Sequence, residues 1–282
     1  MPVTSWSHSK LVDFEKCKFM FWLKHDQRIP EPERPLPPGK TEHANDRGTR
    51  VHQSCEDYVA GRTDELALEA EKHFGPELDL LRTMHEDGLV HLEGEWGHDV
   101  DWGIWPWKGQ WVELDQETAQ MFANEFGYTQ VVDRELPQRA DPDCVYSVRG
   151  KFWVWQDPWL RLKVDALVLH DETTATVIDY KTGRKFGNEV KHAEQLQLYQ
   201  LATFMRYPQL ETVHAELWYL DQDEVTSQKY TRPMGLRYRE KFNRRGDAVL
   251  ACTEFKPNPN KFTCKWCQYG PWNGKQCQVG VR

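Results

Sequence analysis

The chain has 282 residues, 39% hydrophobic and 12% aromatic, which suffices for one large domain or two small ones around a sizeable core. Its formal charge of −8 argues against a protein that coats nucleic acid through bulk positive charge. It has no run of about 18 apolar residues to span a membrane and no apolar signal core in MPVTSWSHSK, so a cytoplasmic setting is expected; seven Cys without such a signal do not suggest a disulfide framework.

In chain order, residues 4–28 read as a helix, with Ser5, Ser7 or Ser9 as cap and Leu11, Phe14, Cys17, Met20 and Phe21 at helical spacing. Five Pro mark residues 29–39 as a loop. Helices follow over 46–60 and over 64–87, the latter interrupted near Gly75-Pro76. Residues 89–95 read as a strand, and the Trp-rich stretch 96–111 has no clear period. A helix over 115–127, strands over 131–135 and 145–154, and a hairpin over 162–181 come next. The remainder reads as a helix over 189–204, strands from His214 and after Val225, a basic helix over 237–251, and a loop-like, Cys-bearing tail from Phe255. The order implies an α/β protein with a mixed central sheet flanked by helices. Residues 1–282 form one domain in this reading, with a core over about 46–235 and the ends, 1–28 and 252–282, joined by cysteines.

The chemistry concentrates in LKVDALVLHDETTATVIDYKTG. With period two, Leu162, Val164, Ala166 and Val168 share one strand face and Lys163, Asp165, Leu167 and Leu169 the other; Val177, Asp179 and Lys181 oppose Ile178 and Tyr180. Pairing the strands brings Asp165, Asp179 and Lys181 together on mostly buried backbone. An isolated buried carboxylate costs several kcal/mol. A hard cation such as Mg²⁺ or Mn²⁺ removes that cost, and the Lys can then orient a water or neutralise a phosphate. That is the apparatus of metal-dependent phosphodiester hydrolysis. Cys264-x-x-Cys267 has knuckle spacing, with Cys277 beyond it and Cys17 able to return as a fourth thiolate; four thiolates suit either structural Zn²⁺ or an iron–sulfur cluster. Cys55, Cys144 and Cys252 read as buried apolar residues. The Trp-rich stretch and Trp153, Trp155 and Trp159 read chiefly as core, with base stacking as the rival; the basic residues Arg237 to Arg245 suit phosphates or a solvated face equally.

KVDALV followed by IDYKTG resembles the PD-(D/E)XK nuclease superfamily. The wider pattern resembles its RecB-like branch, including the AddB nuclease and the iron–sulfur exonucleases of CRISPR adaptation. The supporting motifs are Gly48-Thr49-Arg50-Val51-His52 upstream, Gln195-Leu196-Gln197-Leu198-Tyr199 downstream, SWSHSKLVDFEKCKFMFW at the start and the terminal Cys cluster. The resemblance implies a metal-dependent DNA nuclease, an exonuclease more than an endonuclease, acting on single strands or DNA ends. A phage replication or recombination setting, with a recombination partner protein, goes with it. It implies His52, Glu93, Asp165, Asp179 and the carbonyl of Tyr180 as metal ligands, Glu95 being the reserve for Glu93, and Asp99 and Asp101 loop charges. It assigns Lys181 to the attacking water, Gln195 and Tyr199 to DNA, and Cys17, Cys264, Cys267 and Cys277 to a structural four-iron four-sulfur cluster. Glu56, four residues after His52, is a weaker candidate for supporting it. Two rivals are a non-catalytic DNA-binding or assembly module on a nuclease-like fold, and a redox or iron sensor built on the Cys set.

Overall fold

Cys17 breaks what the sequence reads as one N-terminal helix. The computed structural model describes residues 3–33, 35–36, 38–126, 129–132, 135–137, 144–183, 185, 187 and 189–282, with the side chains at 93, 126, 129, 131 and 132 outside that description. It gives α1 (His8–Lys16), α2 (Lys18–Phe21) and a π-helical turn, Trp22–Asp26. The Ser7 hydroxyl caps α1 by accepting the Lys10 N–H at 3.3 Å. Cys17 ends it in extended conformation (φ −164°, ψ 111°), its N–H still bonded to the Asp13 carbonyl at 3.0 Å. The apolar stripe runs through Cys17 unbroken, so local periodicity conceals the break.

Then come α3 (Ala44–Val59) and α4 (Leu68–Glu86), the latter kinked at Phe74 beside Gly75-Pro76, where proline lacks the helical N–H donor. Next are β1 (Val90–His98), β2 (Ile104–Trp105), β3 (Gln110–Leu114), α5 (Gln116–Phe126) and β4 (Thr129–Val132). The strand expected over 131–135 thus starts earlier, and positions 133 and 134 lie outside the described residues. The single strand expected over 145–154 is a hairpin of β5 (Val145–Val148) and β6 (Lys151–Gln156). Arg149 and Gly150 turn it with φ of 52° and 80°, the double positive φ that matches strand twist in a two-residue loop. The chain continues through β7 (Leu160–Leu169), β8 (Thr174–Lys181), α6 (Glu189–Arg206), β9 (Thr212–Tyr219), β10 (Glu224–Thr231), α7 (Arg232–Leu236), α8 (Arg239–Leu250) and α9 (Lys261–Cys264).

The described strands form two sheets, one ordered β10-β9-β8-β7-β1-β2 and the other β3-β6-β5-β4. The larger is mixed: β8 and β9 run parallel, joined over the sheet by α6, while β7–β8 and β1–β7 are antiparallel. One core gathers α6, the N-terminal segment and α8 against the sheet; a second gathers α3 and α4. Strict alternation places Leu162, Val164, Ala166 and Val168 together, but the first two pack in the α6 core and the last two in the α3–α4 core. Leu167, past Asp165, packs in the α6 core instead, so the alternating positions of β7 exchange cores at Asp165. Leu196, Leu198, Leu201 and Phe204 are buried; at roughly 1.5–3 kcal/mol each, they fix α6 and hence the polar residues it carries. No helix among the described residues is long and apolar enough to cross a membrane.

Candidate active site

The β7–β8 ladder runs from Leu169–Ala175 to Ala166–Ile178, so Asp165 and Asp179 stand just past its end. There a side chain replaces the ladder: the Tyr180 N–H donates to Asp165 Oδ2 at 2.6 Å. This charge-assisted bond fixes the carboxylate. Asp165 Oδ1 meets His52 Nδ1 at 3.2 Å, from the middle of α3. With Nδ1 as donor, His52 keeps Nε2 as a lone-pair nitrogen.

Helix α3 is held close by two devices. A Cβ on Gly48 would stand 3.2 Å from Thr182 Oγ1, so glycine lets the helix approach the chain leaving β8. Arg47 donates to Asp221 at 2.8 and 2.5 Å and to the Thr182 carbonyl at 3.4 Å. The four-residue spacing then carries His52 to the carboxylates.

Asp179 is 6% exposed. Its Oδ1 accepts from Gln195 Nε2 at 3.0 Å and from the Tyr199 hydroxyl at 3.1 Å, while Lys181 Nζ forms an ion pair with Oδ2. Gln195 also donates to Tyr199 at 2.8 Å. Burial, with the negative charge of Asp165 added, raises the Asp179 carboxyl above its ordinary range against the opposing pull of Lys181. Burial and the two carboxylates push the Tyr199 phenol well up, so it acts as a donor. Burial lowers His52, but the hydrogen bond and charge of Asp165 outweigh it and the imidazole is raised. Gly48, Thr49, His52, Gln53, Lys163, Asp165, Asp179 and Tyr199 line one open cleft.

These groups fit a hard divalent cation. Two carboxylates and the nearby Tyr180 carbonyl are the oxygen donors such ions take, with the imidazole a borderline nitrogen donor beside them, and the buried Asp179 Oδ2 has no hydrogen-bond donor, its Lys181 ion pair apart. Among the described residues no three His, Cys, Asp or Glu side chains already stand at ligating spacing. The Glu93 side chain lies outside the described residues; its backbone lies in β1 between Leu92 and Gly94, which pair with Ala166 and Val164 on either side of Asp165. Glu95, the reserve, pairs with Lys163 at 3.6 Å. Glu56 is held by Arg62 and Gln53 rather than by His52. Asp99 caps its own loop, accepting the N–H groups of Asp101 and Gly103 at 2.9 and 2.8 Å.

The four singled-out cysteines converge as well. Cys17, Cys264, Cys267 and Cys277 line one small cavity with Met20, Leu23 and Tyr269. All are free thiols. Burial raises the Cys267 thiol. Thiols are the ligand type a thiolate-bound metal or cluster takes, and these four share one apolar cavity without standing at ligating spacing. Of the other cysteines, Cys55 and Cys144 are buried, and Cys252 is half-buried.

Residues 5–272 match the family model of the PD-(D/E)XK nuclease superfamily. The chain belongs to that superfamily. Members generally use Mg²⁺ or Mn²⁺, so phosphodiester hydrolysis on DNA is the class of activity this membership implies. No curated protein matches the chain. Among solved structures, one described as "Crystal structure of SSO0001" is similar over 100% of this chain and 90% of that one, at 12% identity and a TM-score of 0.39.

One neighbour of the site escapes sequence reading. His8, the first residue of α1, has a buried Nε2 without a hydrogen-bond partner. Burial and the charge of Lys181 push its imidazole down to about 4, so it is neutral near neutral pH. Nothing in SWSHSK distinguishes it from a solvated residue at a helix start. Of the Trp residues singled out, Trp96, Trp102 and Trp159 are buried and the other five half-buried, and Trp6 meets Trp159 edge-on at 5.1 Å. In the basic helix, Arg245 is committed to Glu15 and Glu194, and Lys241 to Glu194.

Proposed function

We propose that this superfamily member is a metal-dependent deoxyribonuclease with its active site in the His52–Asp165–Asp179–Lys181 cleft. The observation that carries the reading is the junction past the β7–β8 ladder. There two carboxylates from adjacent strands, an imidazole from α3 and a lysine from β8 meet. His52, Glu93, Asp165, Asp179 and the Tyr180 carbonyl would hold Mg²⁺ or Mn²⁺. When bound, such an ion lowers the pKa of water and stabilises charge on the phosphate and leaving oxygen.

The protein's own groups set the geometry. Tyr180 N–H orients Asp165, and Gln195 and Tyr199 orient Asp179, so neither carboxylate must reorganise during the reaction. Lys181 holds the attacking water and neutralises the phosphate. Tyr199 lines the cleft where the DNA strand would lie, and Gln195 donates to its hydroxyl. Cys17, Cys264, Cys267 and Cys277 hold a structural four-iron four-sulfur cluster; their convergence on one cavity supports this, and Zn²⁺ is the competing occupant. The whole of 1–282 acts as one nuclease domain, with a core over about 46–235 and the segments 1–28 and 252–282 as its Cys-bearing part. An exonuclease on single strands or DNA ends, cytoplasmic and serving phage replication or recombination beside a recombination protein, is the finer reading that the ordered motifs support.

The test is incubation of anaerobically purified protein with 5′- and 3′-labelled single- and double-stranded DNA in Mn²⁺, Mg²⁺ or EDTA. Metal-dependent cleavage lost in Lys181→Ala and Asp165→Ala is expected, and the product ladder gives polarity and mode. Folded protein that cuts nothing, or variants that cut as well as the parent, would replace this reading with that of a binding module.

A further inference from the structure

The net charge of −8 conceals a division. Five of the 36 Lys and Arg and none of the 44 Asp and Glu fall in residues 255–282, so this tail carries +5 and the rest of the chain −13. The tail also carries the most exposed aromatic rings among the described residues. Phe262 is 91% exposed and Trp266 67%, in a protein that fully buries Trp6 and Trp102. Large rings held in water on a structured segment mark a binding surface more than chance exposure.

The local arrangement is ordered. Asn260 caps α9, accepting the Thr263 N–H at 2.8 Å, and Cys264 and Cys267 are buried beneath it, so the turn has a fixed base. From that base the sequence Lys261-Phe262-Thr263-Cys264-Lys265-Trp266 presents a cation followed by a ring, twice, at a four-residue interval. Lys265 Nζ lies 4.9 Å from the centre of the Trp266 ring, and both lysines are exposed. The tail ion pair among the described residues involves Lys256 and Glu254 instead. Alternating positive charge and flat rings complement the alternating phosphates and bases of a single strand, whose bases are free to stack. A lipid surface fits less well: α9 is four residues long, and no Leu or Ile occurs in 255–282 to extend an apolar face.

We propose that Lys261, Phe262, Lys265 and Trp266 form a single-strand DNA binding surface on the Cys-bearing knuckle, distinct from the cleft that cuts. The choice of DNA as the polymer rests on the nuclease reading; the surface itself does not. It supplies affinity, the two rings stacking on bases and the two lysines contacting phosphates.

The test is binding of a labelled oligothymidylate to the full-length protein in EDTA, read by fluorescence anisotropy and by quenching of Trp emission. Phe262→Ala with Trp266→Ala should weaken binding about thirtyfold or more, as expected for losing two stacks that each contribute roughly 1–3 kcal/mol. Lys261→Gln with Lys265→Gln should reduce the slope of log affinity against log salt by about 1.4, at roughly 0.7 per phosphate contact. Cleavage of a saturating short substrate should keep its rate in both variants. Unchanged oligonucleotide affinity in the ring variant, an equal loss for blunt duplex, or binding to anionic vesicles in place of the oligonucleotide would each overturn the proposal. Cleavage by the parent, assayed beside Lys181→Ala, separates the two readings. If the parent does not cut DNA yet the ring variant loses oligonucleotide binding, the nuclease reading fails and the surface stands.

Discussion

Tyr199 hands its hydroxyl to a carboxylate that has few other donors. Asp179 Oδ1 takes one bond from it and one from Gln195. A hydrogen bond to a charged group contributes about 1.5–3 kcal/mol, and supporting partners of metal ligands typically change affinity about 10–100-fold. Tyr199→Phe should therefore raise the metal concentration for half-maximal cleavage at least about tenfold while circular dichroism stays unchanged. An unaltered metal titration would assign the whole task to Gln195. Glu69 gives a pH prediction at the same scale. The hydrogen bond from Arg50, with the charge of Arg47 adding to it, holds its carboxyl at about 2, below the ordinary value of 4.5. The folded pKa lies below the unfolded one, so this contact stabilises above pH 4.5 and is lost as pH falls toward 2. Glu69→Gln should flatten the fall in urea midpoint through that window; a parent-like acid slope would remove Glu69 as its source.

Helix α8 shows packing overruling propensity. A Cβ on Gly246 would stand 2.4 Å from Trp6 Nε1 and 2.7 Å from Trp159. Alanine gains about 1 kcal/mol over glycine in a helix, but overpacking a filled contact costs about 1–3 kcal/mol. Gly246→Ala should lower the thermal midpoint, and a higher midpoint would mean that the Trp pair can yield. Legibility also divides at this scale. Helix α6 and the β7–β8 hairpin were readable because their apolar repeats are long and their polar exceptions fall on one face. That sufficed to bring Asp165, Asp179 and Lys181 together. The break at Cys17 was not readable, because the residues on both sides keep helical spacing and the demand on Cys17 is tertiary. The Trp-rich stretch gave no period because it leaves one sheet and enters another within a few residues. His8 gave no signal because its burial depends on what lies across from α1, not on its neighbours in sequence.

Across the whole molecule, the two ends of the chain share one small core of Cys17, Met20, Leu23, Cys267 and Tyr269. Cys17→Ser and Cys264→Ser should each remove visible absorbance from anaerobically purified protein and lower its thermal midpoint, since a bound centre lends its binding energy to the fold. Parent protein that carries zinc by elemental analysis and no visible band would replace the cluster with Zn²⁺.

That shared core also sets a timetable. The Asn258 N–H meets Cys17 Sγ across 241 residues, and the Tyr269 hydroxyl meets the Ile29 carbonyl across 240. At roughly 5–20 residues per second, a ribosome needs on the order of 10–50 seconds to deliver those partners. Until then Cys17, Met20 and Leu23 lack their Cys267 and Tyr269 partners. Slower translation lengthens that delay, so this small core closes only when residues 258–269 have emerged.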